Sequence, residues 1–398
     1  MATYQEKILT TQSTPQNLFV PDISDRIIEF MPDRFPLDTI MRALGRSRPV
    51  EAYPKFEWLE DRTFPRRDIV TAAVNVNNVT SATLTVGNPA MWGPTDVLVV
   101  PNSPINPTRL IVTGKSGNQI TVGPIDGSTP FSLNLAANST IVRISNTVGE
   151  LTAFMDSRSV MPELHYNYVQ VFMTVLEFSK IRERVRTYSG DDWQRNVQRH
   201  IYDFRSSMEF QLLLGKRAFY PGYSFPDGRV DNLYQFGGIL EFAGKQITYN
   251  PNGSPPISWQ DFVSWTRVIF ADNSASEERL FFVGSGLLEK LLKVEPMAQI
   301  FQNVGTSEYV HNIRFTRIET NFGVLLLRHH KGLDEAGMPD VGLVVDVNYI
   351  TRRVLEPMTT TEIELDRTGV RRSRALRIHE AFGVEIGYPE AHAVVYPA

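Results

Sequence analysis

Residues 55–61 read KFEWLED, with Phe56, Trp58 and Leu59 set among four charged side chains, Lys55, Glu57, Glu60 and Asp61, directly after a Pro- and Arg-rich approach. C-terminal to this run the composition changes. From about Val70 to Val148 charges are sparse, and short β-branched runs alternate with Asn, Gly, Pro and Ser. Candidate strands are 82–86, 96–100, 109–113, 119–122 and 140–144, separated by turn-formers such as 115–118 and 126–129. Five short strands predict a small barrel or sandwich. Its shortage of basic and aromatic side chains argues against base stacking and favours contact or decoration over ligand binding. The chain returns through Glu163–Phe178, a β-rich run with Tyr166, Tyr168, Val171, Phe172, Val175 and Phe178, expected to pair with KFEWLED as the second half of one long hairpin.

On the N-terminal side, Pro15, Pro21, Pro32 and Pro36 break any long element, while 23–31 and 37–44 have helix-compatible apolar spacing. Residues 1–47 therefore read as an arm with a short helix. Beyond the hairpin, Ser189 and Asp192 suggest an N-terminal cap, and Trp193, Val197, Ile201, Phe204, Met208 and Leu212 recur every three or four residues. From Asp191 to Leu214 such a helix would run roughly 36 Å at about 1.5 Å per residue. The opposite-charge pairs Asp191/Arg195, Arg199/Asp203 and Arg205/Glu209 are expected on its solvated faces. Residues 230–350 alternate helices and strands. Ser258 is expected to cap a helix through Phe270, Leu287–Leu292 reads as another, and strands are expected at 280–283, 313–318, 324–327 and 341–347. Further strands at 361–365, 375–378 and 383–386, with a turn at 366–369, are expected to carry the chain end back to an earlier sheet.

The chain has 398 residues, 42% hydrophobic and 21% charged, which suits two or three substructures with a sizeable core. Zero cysteines exclude disulfides, thiolate metal sites and cysteine nucleophiles. No run approaches the ~20 apolar residues that span a bilayer, and the polar start MATYQEKILTTQST lacks a signal-peptide pattern. A net charge of −4 argues against an electrostatically driven nucleic-acid binder.

Fragments that invite an enzyme reading fail on inspection. Gly284-Ser285-Gly286 lacks the third glycine of a dinucleotide loop, and Glu289 stands in its place, where it would oppose a pyrophosphate. Gly114-Lys115-Ser116 resembles the end of a phosphate loop, but Arg109 occupies the first glycine position and a turn follows. Ser285 lacks a G-x-S-x-G context. His329 and His330 are adjacent, so on a strand they face opposite ways, and a weak site of one of them with Asp334 is outweighed by an ordinary polar loop. No catalytic, cofactor or metal constellation emerges.

KFEWLED resembles the stretch that starts the extended loop in a group of tailed-phage major capsid proteins of the Hong Kong 97-type fold, where one subunit lays that loop over its neighbour. Two further regions follow in that family's order: Ser189–Phe219, containing SSMEFQLLLG, and Val354–Val395, ending GVEIGYPEAHAVV. The resemblance implies an α+β subunit with an N-terminal arm (1–47), an extended loop (48–75 and 149–185) carrying a small all-β insertion (76–148), a peripheral domain with a long spine helix (186–229 and 351–398), and an axial domain (230–350). It implies a geometric function, in which hexamers and pentamers close into an icosahedral shell around double-stranded DNA held by weak, non-specific contact. Portal and scaffolding proteins, and a cement protein where one exists, are the implied partners; no membrane is involved. The implied location is the virion capsid, after assembly in the host cytoplasm. Candidate intersubunit residues are Lys55, Glu57, Trp58, Glu60, Asp61, Arg66 and Arg67. No motif matches the lysine–asparagine crosslink of some relatives, so Lys55 is not given that role. The lack of a long charged coiled coil at the N-terminus leads us to expect no fused scaffolding domain. The same fold builds cellular nanocompartments, the nearest competing function; an enzyme or binding protein with a β module is the alternative from another class.

Overall fold

The apolar stripe beginning at Trp193 becomes one face of a helix spanning Asp192–Leu214 (23 residues). Phe204, Met208 and Leu212 are buried on it, and Trp193, Val197 and Ile201 pack against the same core. The computed structural model describes residues 35–51, 53–61, 63–101, 107–127, 129–150, 159–184, 192–253, 255–272, 275–294, 307–310, 313–365 and 371–398. The expected helix over 23–31, the cap at Ser189, the Asp191/Arg195 pair and the turn over 366–369 lie outside the described residues. Contacts divide the chain into two compact units, one of residues Met1–Trp58 with His165–Ala398, the other of Leu59–Leu164.

In the first unit, the long helix packs on a four-stranded sheet ordered Ser47–Pro49, Ile350–Glu364, Ser373–Ile386, Gln170–Ser179. Phe172 of this sheet stacks on Phe382 at 5.3 Å and meets Phe204 of the helix edge-on at 6.4 Å. Pro357, which has no N–H to give the ladder, sits where the pairing of the two long strands shifts register. A seven-stranded sheet is ordered Lys245–Tyr249, Ala393–Pro397, Gly342–Val345, Glu278–Val283, Gly323–His329, Ile313–Thr320, Ser307–Val310. Its central strand is buried on both faces. Leu280 and Phe282 join the core beneath the long helix, whereas Phe281 and Val283 pack with Phe262, Trp265, Leu287 and Leu291 of the helices Trp259–Ile269 and Ser285–Leu292. Ser258 closes a capping box with Asp261, as its position predicts.

Two expectations need correction. The run over Glu163–Phe178 is two strands, because only Glu163–Tyr168 pairs with Lys55–Glu60. Val169 is fully buried and donates its N–H to the Pro54 carbonyl, and from Gln170 the chain pairs antiparallel with Ser373–Phe382. Next, the chain end does not stay with the four-stranded sheet; Ala393–Pro397 is inserted into the seven-stranded sheet, parallel to Lys245–Tyr249 and antiparallel to Gly342–Val344. Residues from the segments expected as peripheral and axial domains meet in one core cluster, in which Leu212, Phe236 and Phe382 join Phe282, Leu343 and Val345.

The second unit is all-β apart from one short 3-10 turn among its described residues. Its six-stranded sheet is ordered Arg67–Val70, Ser139–Asn146, Asp96–Val100, Thr108–Ser116, Gln119–Pro124, Ala82–Thr85, and Val74–Val79 pairs with Phe131–Leu135 beside it. Inward residues Leu84, Leu98, Leu110, Val112, Ile120, Val122 and Ile141 form its own core. The Trp92 indole buried there donates to Asp68 at 2.7 Å, so its polar edge is satisfied. All five expected strands are present. Arg67–Val70, N-terminal to the expected 76–148 insertion, lies in the same sheet, paired with Ser139–Val142.

Candidate functional site

The strand Lys55–Glu60 alternates by burial, and that alternation divides the candidate interface residues. Phe56 and Trp58 point into the core: Trp58 lies 6.0 Å from both His165 and Phe242 and stacks near Phe56. Trp58 is thus a core residue of its own subunit, not an interface residue as expected, because the strand's inward period falls on it. The Phe56 ring is seated on Gly383, where a Cβ would come within 2.5 Å of the ring and 2.4 Å of the Tyr168 carbonyl. The run GVEIGYPE therefore begins with glycine because strand and aromatic ring approach too closely for any side chain. Fully buried Asn167 completes the clamp. Its amide donates to the Gly237 and Val384 carbonyls at 3.1 and 2.8 Å and its oxygen accepts from Gly237 N–H at 2.9 Å.

Lys55 and Glu57 project from the opposite face and form an ion pair, with the Lys55 ammonium 4.2 Å above the Tyr166 ring. Its hydrogen bond to Glu57 raises the Lys55 pKa. Asp61, Arg66 and Arg67 are exposed in the second unit, and Glu60 there is half-buried. Arg67 stands in the strand paired with Ser139–Val142, and the Arg66 carbonyl accepts from Arg143 N–H.

A second constellation escaped sequence reading altogether. The helix Pro36–Ala43 lies on the long helix, and between them is a buried charge network. Asp38, with no exposed surface, accepts from Arg42 Nε at 2.9 Å and from Arg205 Nη2 at 2.9 Å, with Arg352 Nη1 at 3.8 Å. Glu380 binds Arg352 at 2.7 Å and Arg42 at 2.8 Å. Glu209 caps the short helix, accepting from Leu37 N–H at 2.9 Å and Asp38 N–H at 2.7 Å. The same Glu209 carboxylate lies 3.0 Å from His330 Nε2. Because His330 Nδ1 accepts from Gly332 N–H at 3.1 Å, the ring proton is on Nε2 and donates to Glu209. Three carboxylates thus face three guanidiniums and a neutral imidazole. Burial, then the like charge of Arg42, lowers the Arg352 pKa; for Arg42, burial acts downward but Asp38 and Glu380 outweigh it and raise its pKa.

The expectation that Arg205 and Glu209 form a solvated pair is corrected here. The short helix covers that face, leaving Glu209 buried and sending Arg205 to Asp38. A helix-compatible spacing over 37–44 was legible, but nothing local tells which face of which helix it covers.

The fragments tested for catalysis are all structurally occupied. Asp334 accepts from Ser285 N–H at 2.7 Å at the start of the helix after Gly284, so a carboxylate already fills the position a phosphate would take. His329 turns to Asp334 at 2.6 Å and His330 to Glu209, on opposite sides as their adjacency requires. Gly114, Lys115 and Ser116 end a hairpin strand. Among the described residues no three metal-ligating side chains gather, and no helix is long and apolar enough to cross a membrane. The clamp and the charge network fix segments to one another, and apart from the unpartnered Arg352 Nε the polar groups named above are engaged in that work.

Comparison with known structures supports the architecture. The chain resembles the capsid of the cyanophage P-SCSP1u with a TM-score of 0.51 at 8% identity, covering 98% of this chain and 97% of that one. The capsid of an empty GTA particle gives 0.48 at 11% identity with 98% of each chain covered. The capsid of the myovirus XM1 gives 0.46 at 8% identity over 99% of this chain and 100% of that one. At 8% identity the likeness to the P-SCSP1u capsid concerns the fold alone. No curated protein matches the sequence. The profile of the SU10 major capsid protein family matches residues 6–397. With nearly its whole length matched, the chain belongs to the SU10 major capsid protein family and is a shell-forming major capsid protein.

Proposed function

We propose that copies of this chain assemble as hexamers and pentamers into an icosahedral shell of the Hong Kong 97 type around double-stranded phage DNA. The observation that carries this reading is the match to a major capsid family over residues 6–397, joined to the anchored strand pair from which the Leu59–Leu164 unit departs. In this reading Lys55–Glu60 and Glu163–Tyr168 are the root of the extended loop, and Leu59–Leu164 is its β insertion. The helix Asp192–Leu214 is the spine, and the seven-stranded sheet surrounds the axis of each capsomer. Lys55, Glu57, Glu60, Asp61, Arg66 and Arg67 face neighbouring subunits; Trp58 serves its own core.

The subunit performs no catalysis, and its DNA contact is weak and non-specific, in keeping with a net charge of −4. Portal and scaffolding proteins, and a cement protein where one exists, act with it; the shell is built in the host cytoplasm and ends in the virion. Cryo-electron microscopy of the chain expressed with and without a scaffolding protein is the direct test. Closed particles with sixfold and fivefold capsomers are expected. A protein that stays monomeric under both conditions refutes the reading.

A further inference from the structure

A ribbon made of Ala218–Ser224 and Val230–Gln235 pairs with no other strand among the described residues. Its base is firmly held, with Arg217 Nε 2.7 Å from Glu241 and Gln211 Nε2 donating to the Phe236 carbonyl at 2.6 Å. Tyr234 rests against Tyr53 and Tyr168, and most of the remainder is open to solvent. Every residue of 218–224 is exposed, and Phe219, Tyr220, Tyr223, Val230 and Leu233 make it aromatic and apolar. Two-stranded ribbons are marginal in water without a surface to pack on, and aromatic residues in that setting are what dominates protein interfaces. Asp227 and Arg229 neutralise each other at the tip, which leaves Asp231 as the ribbon's exposed acid.

The same subunit carries a second, unlike patch. Gln170–Ser179 ends the order of the four-stranded sheet, and on its outward face Val171, Met173 and Val175 are each more than half exposed (56%, 63% and 51%). Opposite them in register stand Ala381, His379 and Arg377. Arg377 is exposed and forms no ion pair among the described residues. Glu177, on the same outward face, is held by Arg371 and Ser373, so an aromatic ribbon with one acid left over meets an apolar strip with one base left over, matched in polarity and charge. Both patches stand uncovered in one subunit, so a copy does not satisfy them itself. Unlike patches that fit each other make head-to-tail contacts, which close into rings when the rotation between copies closes.

We propose that the ribbon of one copy docks on the Val171–Met173–Val175 strip of a second copy, with Asp231 facing Arg377; this rests on the shell reading above. The test is a charge exchange scored by particle yield in negative-stain images and size-exclusion chromatography. Asp231→Arg alone and Arg377→Asp alone should each cut yield at least tenfold through like-charge apposition, with the circular dichroism of the subunit unchanged, and the double exchange should restore particles. Because the chain has no cysteine, Leu233→Cys, two residues from Asp231 and so on the same ribbon face, combined with Met173→Cys gives a second readout. Mild oxidation of assembled particles should yield disulfide-linked multimers from the double variant and none from either single variant. Normal assembly of both single charge variants overturns the inference, as does a double exchange no better than the worse single, which would give the ribbon to a foreign protein. The unaltered chain run alongside tests the shell reading separately.

Discussion

Replacing Glu209 by Gln tests whether the buried network holds the short N-terminal helix on the long one. The carboxylate accepts from Leu37 N–H and His330 at one oxygen and from Asp38 N–H at the other. A carboxamide has one acceptor. If its oxygen serves Leu37 and His330, its amino group faces the Asp38 N–H, donor against donor; the reverse orientation sets it against two donors. The change removes a charge-assisted bond, about 1.5–3 kcal/mol, and leaves a buried N–H unsatisfied at about 1–3 kcal/mol. Allowing for overlap, about 3 kcal/mol falls on the docking of residues 36–43. At 1.4 kcal/mol per decade the opening equilibrium rises by about two orders of magnitude. Hydrogen exchange of peptides covering 36–43 reads this directly, with Glu51→Gln on the exposed approach as control. Unchanged exchange over 36–43 in a folded Glu209→Gln subunit would refute the reasoning and make the network incidental to docking.

Changing Glu57, Glu60 and Asp61 together to Lys should impair assembly far more than subunit stability, since repelling charges at an interface cost several kcal/mol and exposed substitutions about 0.5 kcal/mol or less; early melting of the unassembled subunit would reassign them to folding contacts. Replacing residues 61–162 by a Gly and Ser linker should leave the first unit folded by circular dichroism but its particles open or fragile to heat. Cutting only 76–148 should give an aggregating subunit, because Arg67–Val70 would lose its partner Ser139–Val142. His392 is fully buried, and burial lowers its pKa to about 4, so the folded state leaves it neutral while the unfolded state protonates it below about 6.5. Stability is therefore lost as pH falls from 6.5 to 4, by about 1.4 kcal/mol per unit. His392→Asn, which keeps an acceptor for Asp346 N–H, should flatten melting temperature against pH across that window; an unchanged slope would sink the assignment.

Local chemistry explains what the sequence disclosed. Ser258 with Asp261, the Trp193–Leu212 stripe and the β-branched runs between 82 and 144 are signals contained within a few turns or one hairpin, and each produced the expected element. What stayed hidden depends on partners far along the chain. Glu209 reads as half of a surface pair until a helix 171 residues away covers it. Ala393–Pro397 alternates like any strand, and only its insertion between Lys245–Tyr249 and Gly342–Val345 decides which sheet it joins. Strand 67–70 was missed because only two of its four residues, Ile69 and Val70, are apolar, and its inward residues are Asp68 and Val70. Asp68 is tolerated inside because Trp92 and backbone N–H groups saturate its carboxylate.

The three segments that carry the family resemblance meet in this fold. Phe56 of KFEWLED rests on Gly383 of GVEIGYPE, so those two runs constrain one another. The spine segment enters through Met208, Leu212 and Leu213, which share a core with Phe56, Trp58 and Phe382. Lys55 and Glu57, on the outward face of the same strand, pair with each other, with Lys55 over Tyr166. Phe56 and Trp58, beside a strand held by Asn167, thus belong to the core of the first unit.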